Sequence, residues 1–215
     1  MVLRVGAAGS PPVLTLPKRT PLSAGRAFAE AQEAWLRRHL EARPGPVPVL
    51  PGTVLPVLGE DIVLARADSG RLRRSGTALL VPGPEAQLAV RTAAWLKECA
   101  RGACAARVAQ AADVLGRPAG RLSLRDPKSR WGSCNSTGDL MFSWRLVLAP
   151  PYVLDYVVAH EVAHLAELNH GARFWDLVAR LDPGHRRAQD WLRAEGVRLH
   201  AYDFGPRDGA FAQAA

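Results

Sequence analysis

The sequence is poor in cysteine and lysine, and it has no long hydrophobic run. Its three cysteines, Cys99, Cys104 and Cys134, are an odd number without a repeated C-x-x-C spacing. This argues against a disulfide framework and favours a reducing cytoplasm. No stretch reaches about 18 consecutive apolar residues, the length of a membrane-spanning helix, and residues 1–10 lack the apolar segment of a signal peptide. We therefore expect a cytoplasmic protein without a membrane partner.

The charge is strongly basic, with a formal net value of +8 that comes mostly from residues 1–120. Such asymmetry can indicate a surface for nucleic acid. However, 25 of the 28 basic residues are arginines, and they are scattered along the chain. Only Arg71, Arg73 and Arg74 form a cluster. The charge pattern therefore supports a nucleic-acid partner only weakly, and it leaves the oligomeric state open.

Hydrophobic periodicity and turn residues divide the chain into short strands and longer helices. The predicted strands are 13–16, 53–58, 61–66, 77–82, 121–126 and 139–144. The predicted helices are 22–42, 84–115, 151–168, 172–181 and 184–196. A mixture of this kind predicts an α+β fold.

A metal-binding pattern lies in the helix predicted over 151–168, where the sequence reads VVAHEVAHLAELNH. His160 and His164 are four residues apart, so they lie about 40° apart on one helix face and their imidazoles can converge on one ion. Glu161 flanks that face, where its carboxylate reaches a water on the ion more easily than the ion itself. The pattern H-E-x-x-H is typical of zinc-dependent peptidases.

Two residues are candidates for the third ligand. Glu167 faces the correct side, but the helix rises about 10.5 Å from His160 to Glu167, which is too far for one ion. His170 reaches the ion if the helix ends near Asn169, which tolerates a left-handed conformation. We favour His170, because three imidazoles leave a fourth position open for water, as in catalytic zinc sites. The alternative is a pair of core histidines with ordinary hydrogen bonds.

Three further segments resemble the bacterial YgjP-like metallopeptidases, which are relatives of the SprT-like zinc proteases. These segments are KSRWGSCNSTGDLMFSWRLVL at 128–148, VLDYVVAHEVAH at 153–164 and NHGARFW at 169–175. The resemblance implies a zincin-like α+β fold, with a small mixed sheet packed on the helix that carries HExxH and an N-terminal lobe of helix and strands.

The resemblance also implies a division of the chain. Residues 1–20 would be an N-terminal extension with a short strand, and 21–202 a metallopeptidase domain with its catalytic core at 121–202. Residues 203–215 would be a disordered tail.

The resemblance implies in addition that His160, His164 and His170 bind one Zn²⁺ and that Glu161 is catalytic. We therefore expect a zinc-dependent endopeptidase that acts on a peptide or protein substrate, with Glu161 as general base. Two alternatives stay open: a DNA-associated protease of the SprT-like kind, and a non-catalytic interaction module stabilised by zinc.

Other parts of the site are less defined by the sequence. Arg145, Tyr156 and Tyr202 are candidates for stabilising the oxyanion, and Arg130 has either a direct or a structural role. Residues 140–142 are expected to offer a sheet edge to an extended substrate, unless this strand lies inside the sheet.

Overall fold

The computed structural model describes residues 1–5, 11–41 and 45–205. It has an α+β fold, as the sequence predicts. The helices are α1 (Leu22–Ala31), α2 (Glu33–Glu41), α3 (Leu88–Leu115), α4 (Pro151–Ala163), α5 (Ala172–Leu181) and α6 (His185–Leu199). The strands are β1 (Val2–Arg4), β2 (Val13–Thr15), β3 (Val47–Pro48), β4 (Val54–Val57), β5 (Glu60–Ala67), β6 (Arg73–Ser75), β7 (Ala78–Pro82), β8 (Leu122–Arg125), β9 (Gly132–Cys134), β10 (Leu140–Ser143) and β11 (Tyr202–Asp203).

A four-stranded sheet in the order β4-β5-β7-β6 forms the N-terminal lobe. Strands β5 and β7 are parallel, and the two outer strands run antiparallel to them. Buried Ile62 and Leu64 alternate with exposed Asp61 and Val63 along β5, because successive side chains point to opposite faces of a sheet. One face of this sheet therefore belongs to the core, where β7 contacts α3.

A second sheet, in the order β8-β10-β9, lies beside α4. Strand β10 is parallel to β8 and antiparallel to β9, so this is the mixed sheet that was predicted beside the HExxH helix. The expectation that residues 140–142 provide a free edge is wrong. Both sides of β10 are occupied by neighbouring strands, and β9 contacts α4 from the edge of the sheet.

Some element boundaries differ from the predicted ones. The helix predicted over 22–42 is interrupted at Gln32, whose ψ of 10° leaves the helical range. Strand β9 lies between the predicted strands 121–126 and 139–144, where the sequence predicted neither a helix nor a strand. Asp203 belongs to β11 and Phe204 is buried. The rest of the predicted tail, 206–215, lies outside the described residues.

Helix α4 is the most deeply buried helix of the catalytic half. It begins at Pro151, a residue suited to the first helical position because its missing N–H has no partner there. Nine of its residues are buried: Val153, Leu154, Tyr156, Val157, Val158, Ala159, Glu161, Val162 and Ala163. The helix contacts α3, α5, α6 and β9. In the part of the chain that the structure describes, no helix is long and apolar enough to cross a membrane.

Arg145 connects the end of β8 to the C-terminal segment. Its Nε and Nη2 donate to the two carboxylate oxygens of Asp126 at 2.7 and 3.1 Å. Its Nη1 donates to the backbone carbonyls of Leu199, at 2.8 Å, and Tyr202, at 3.1 Å. The guanidinium carbon also lies 4.8 Å from the ring centre of Trp144. These contacts give Arg145 a structural role, because all three nitrogens of its guanidinium group donate hydrogen bonds within the protein.

Replacing Arg145 with alanine should lower the free energy of unfolding by about 2–4 kcal/mol, because buried carbonyls lose their donor and Asp126 loses its cation. Urea denaturation followed by circular dichroism measures this change. The matched control is Arg193→Ala, whose ion pair with Asp190 is mostly exposed and should contribute less than about 0.5 kcal/mol. Equal effects of the two substitutions would contradict the structural role of Arg145.

Candidate metal centre

The predicted helix over 151–168 ends early, at Ala163, and this early end shapes the site. The backbone N–H groups of Leu165 and Ala166 donate to carbonyls only three residues earlier, at 3.0 and 3.1 Å, which tightens the last turn. The chain then reverses direction before α5 starts at Ala172. As a result, His170 lies back against the face of α4 that carries the two motif histidines.

The three histidines lie close enough to share one ion. Ring nitrogens of His160, His164 and His170 all lie within 4.8 Å of one another. The Nε2 atoms of His160 and His170 are 3.1 Å apart. Two nitrogens bound to one tetrahedral zinc at 2.0–2.1 Å would be separated by about 3.3 Å. The arrangement therefore fits a single ion with three imidazole ligands.

Glu167 does not join this cluster, but its backbone takes part in orienting it. The Glu167 carbonyl oxygen lies 3.0 Å from His164 Nδ1. On the other motif histidine, His160 Nδ1 lies 3.4 Å from the Tyr156 hydroxyl, which accepts a hydrogen bond from Gln189 Nε2 at 3.1 Å. When each Nδ1 donates to these oxygens, each Nε2 keeps its lone pair for a metal. Such outer contacts commonly set the tautomer of metal-binding histidines.

The electrostatics of the cluster favour neutral imidazoles. Burial, together with the neighbouring His164 and His170, lowers the pKa of His160 to about 4. Burial also lowers the pKa of His164. A metal ion requires the unprotonated ring, so these side chains are ready to bind one at neutral pH. Imidazole nitrogens are ligands that suit zinc.

Phe174 packs against all three imidazoles and forms one wall of the cluster. Its ring centre lies 4.9 Å from that of His160, 4.5 Å from His164 and 4.6 Å from His170. Its side chain is fully buried. The sequence analysis did not identify this residue, although its position four residues after His170 on α5 is compatible with contact to the site.

Glu161 is buried directly beside the histidine cluster. Burial raises the pKa of its carboxyl to about 7, while the charge of Arg130 and a hydrogen bond from the Cys134 backbone oppose that rise. Together with His160, Glu161 borders a cavity of about 250 Å³. The other residues of this cavity wall are Arg130, Trp131, Gly132, Tyr156, Val157 and Leu192.

Strand β9 passes so close to Glu161 that any side chain at position 132 would displace the Glu161 carboxylate. A Cβ atom at Gly132 would lie 2.6 Å from both Cγ and Oε1 of Glu161, far inside van der Waals contact. Gly132 was not among the candidates from the sequence. The available signal was its position in the segment 128–148, which resembles the family, because a glycine inside a strand often marks a close approach of another part of the chain.

The remaining sequence candidates fall into two groups. Arg145 and Tyr202 border a different cavity, beside Trp144 and Phe204. Tyr156 and Arg130 do border the cavity next to Glu161, and the Tyr156 hydroxyl lies at the Nδ1 side of His160.

Cys134 is not equipped to act as a nucleophile. Burial raises the pKa of its thiol, and the neighbouring carboxylates of Glu161 and Asp139 raise it further. At neutral pH the thiol therefore stays protonated, and the thiolate is the reactive form.

The chain is similar to known metallopeptidases. A crystal structure of the metallopeptidase zymogen of Pyrococcus abyssi abylysin resembles the chain over 43% of its length and 93% of that protein, with 22% sequence identity and a TM-score of 0.39. A comparison with curated proteins finds no significant match. The family model described as the YgjP-like metallopeptidase domain matches residues 1–195, a span that includes all three histidines and Glu161. The chain therefore belongs to the YgjP-like metallopeptidase family.

Proposed function

We propose that the protein is a zinc-dependent endopeptidase in which His160, His164 and His170 bind one zinc ion and Glu161 is the general base. Membership of a metallopeptidase family supports hydrolysis of peptide bonds. The observation that carries the proposal is the convergence of three imidazoles within 4.8 Å. The residue that follows His160 on α4 is Glu161, whose carboxylate is buried. We also keep residues 21–202 as the proposed metallopeptidase domain.

The chemistry divides between the metal and the protein. A zinc ion supplies a Lewis acid that activates water and polarises a peptide carbonyl. Glu161 accepts a proton from the attacking water and later delivers it to the leaving amine. Its burial supports this role, because a carboxylate removed from solvent holds a proton more readily than an exposed one. Phe174 and the hydrogen bonds at the imidazoles keep the ligands oriented.

The edge of β9 is the proposed binding site for the substrate backbone. The Trp131 carbonyl accepts a hydrogen bond from the Ser143 N–H at 2.8 Å, and the Asn135 N–H donates to the Asp139 carbonyl at 3.1 Å. These two bonds flank the pairing of Ser133 with Met141. In an antiparallel pair these bonds alternate, so the backbone groups of Gly132 and Cys134 point away from β10. The Cys134 N–H donates a hydrogen bond to the Glu161 carboxylate. We therefore assign the N–H and carbonyl of Gly132 to pairing with an extended peptide.

Replacing His170 with alanine should weaken zinc binding by more than about 100-fold. Removing a residue that only hydrogen-bonds to a metal ligand commonly lowers metal affinity 10–100-fold, and loss of the ligand itself should cost more. Competition with a chelating zinc indicator measures the affinity, and elemental analysis should give one zinc per chain in the parent protein. The control is His39→Ala, an exposed histidine bonded only to its own helix. Unchanged affinity in His170→Ala would exclude this residue as a ligand.

Replacing Glu161 with glutamine should lower kcat by about 10²–10⁴-fold with zinc content unchanged, because the amide cannot accept a proton. A fluorogenic peptide mixture, followed by mass spectrometry of the products, provides the assay. Glu167→Gln is the matched control, because this carboxylate lies outside the cluster. Full activity of Glu161→Gln in any functional assay would instead support a non-catalytic module.

Replacing Gly132 with alanine should lower kcat/KM by about 10–100-fold, because the added methyl group displaces the Glu161 carboxylate and misplacement of about 1 Å is costly. Zinc affinity should change by less than about twofold, since the histidines are untouched. Gly102→Ala is the control, because a methyl group there meets nothing within 4 Å. Unchanged kcat/KM in Gly132→Ala would show that the close approach to Glu161 has no functional importance.

A further inference from the structure

The outer face of the β8-β10-β9 sheet carries a second cavity, of about 540 Å³. Met141 borders this cavity and is paired in register with Ser123 on β8 and Ser133 on β9. The neighbouring residues on β10, Leu140 and Phe142, are fully buried. Because side chains alternate along a strand, Met141 and the two serines face away from the core.

The charge of this cavity is positive. Arg125 and Arg130 both border it and are exposed. Among the residues that the structure describes, neither guanidinium has a hydrogen-bond or ion-pair partner. The one acidic residue that borders the cavity, Asp126, is already bound through both oxygens by Arg145. Two arginines with free donors therefore face two serine hydroxyls in one cavity.

One residue is shared by this cavity and the cavity at the proposed active site. Arg130 borders both the cavity at Glu161 and the cavity over Met141. Along β9, Gly132 faces Glu161 and the next residue, Ser133, faces the outer cavity. A peptide extended along the edge of β9 would alternate in the same way. Side chains adjacent to the one that faces Glu161 would therefore point to the outer face of the sheet, where Arg130 and Arg125 border the cavity.

We propose that this outer cavity binds an aspartate or glutamate side chain of the substrate, so that the enzyme selects peptides with an acidic residue close to the bond that is cleaved. The inference rests on the proposed peptidase function and names its substrate class. Guanidinium groups suit this role, because their planar donors match the two oxygens of a carboxylate. A nucleic acid is less suited, because its phosphates require a row of cations along a path, whereas these arginines surround one position.

Peptide binding tests the proposal independently of cleavage. The probe is a set of acetylated and amidated heptapeptides with glutamate, glutamine or lysine at each position in turn, titrated into zinc-loaded Glu161→Gln protein. We expect one position at which glutamate binds about tenfold more tightly than glutamine at low ionic strength. This preference should shrink as salt is added.

Variants then assign the preference to the cavity. Arg125→Gln, made in the same background, should remove the distinction between glutamate and glutamine. Arg125→Glu should reverse it in favour of lysine. Arg117→Gln is the matched control, because it removes the same charge from an exposed position outside this cavity. Thermal melts followed by circular dichroism confirm that each variant is folded.

Several results would overturn the proposal. They are equal binding of the glutamate and glutamine peptides, absence of binding by every peptide, and a preference that survives in Arg125→Gln. A preference that exists only when the peptide has a free C-terminus would assign the cavity to the terminal carboxylate instead. Binding of a single-stranded oligonucleotide that requires Arg125, with no discrimination among peptides, would assign it to nucleic acid.

Cleavage of the same peptides by the parent enzyme separates this proposal from the proposed function. Cleavage without any acidic preference leaves the peptidase function intact and overturns the cavity assignment. An acidic preference in binding, with no peptide cleaved, leaves the cavity assignment intact and contradicts the peptidase function.

Discussion

The burial of helix α4 determines how the C-terminal half of the protein is built. Helices α3, α5 and α6 and strand β9 surround it, and its side chains are apolar on nearly every face. Yet it carries His160 and Glu161 into this environment, where unpaired polar groups are costly. The imidazole tolerates burial by remaining neutral, and the carboxyl by holding its proton more tightly. Both states suit a site that binds a cation and moves protons.

Several neighbouring features follow from accommodating these side chains. The early end of α4 lets His170 return to the cluster, and Phe174 excludes water from one side of it. Gly132 lets a strand lie against Glu161. Helix α4 would be more regular if it continued past Ala163, and strand β9 would be more regular without a glycine. Such departures are typical of functional sites.

The α+β class could be predicted because it depends on local signals, whereas the family and the mixed sheet beside α4 were expected from the resemblance of three segments to the YgjP-like metallopeptidases. A spacing of four residues on a helix determines which side chains share a face, and the motif supplies the chemistry. The structure brings His160, His164 and His170 together in the way that this spacing favours. Their role as ligands stays a prediction until a metal is measured.

Tertiary packing accounts for what the sequence could not reveal. The order of strands depends on pairing between distant segments, so the central position of β10 was not accessible from its alternating pattern. The contact of Gln189 with Tyr156 joins α6 to α4 across 33 positions, and no local pattern signals it. Arg145 was a candidate for catalysis by residue type alone, whereas its partners at Asp126, Leu199 and Tyr202 are spread over the whole C-terminal half.

We propose that three imidazoles, and no thiolate, hold one zinc ion beside Glu161. X-ray absorption at the zinc edge of the zinc-loaded protein tests it most directly. We expect three imidazole nitrogens at about 2.0–2.1 Å together with one further light-atom ligand. A sulfur ligand at about 2.3 Å, as would arise from Cys134, or a shell of oxygen atoms without imidazole, would contradict the claim.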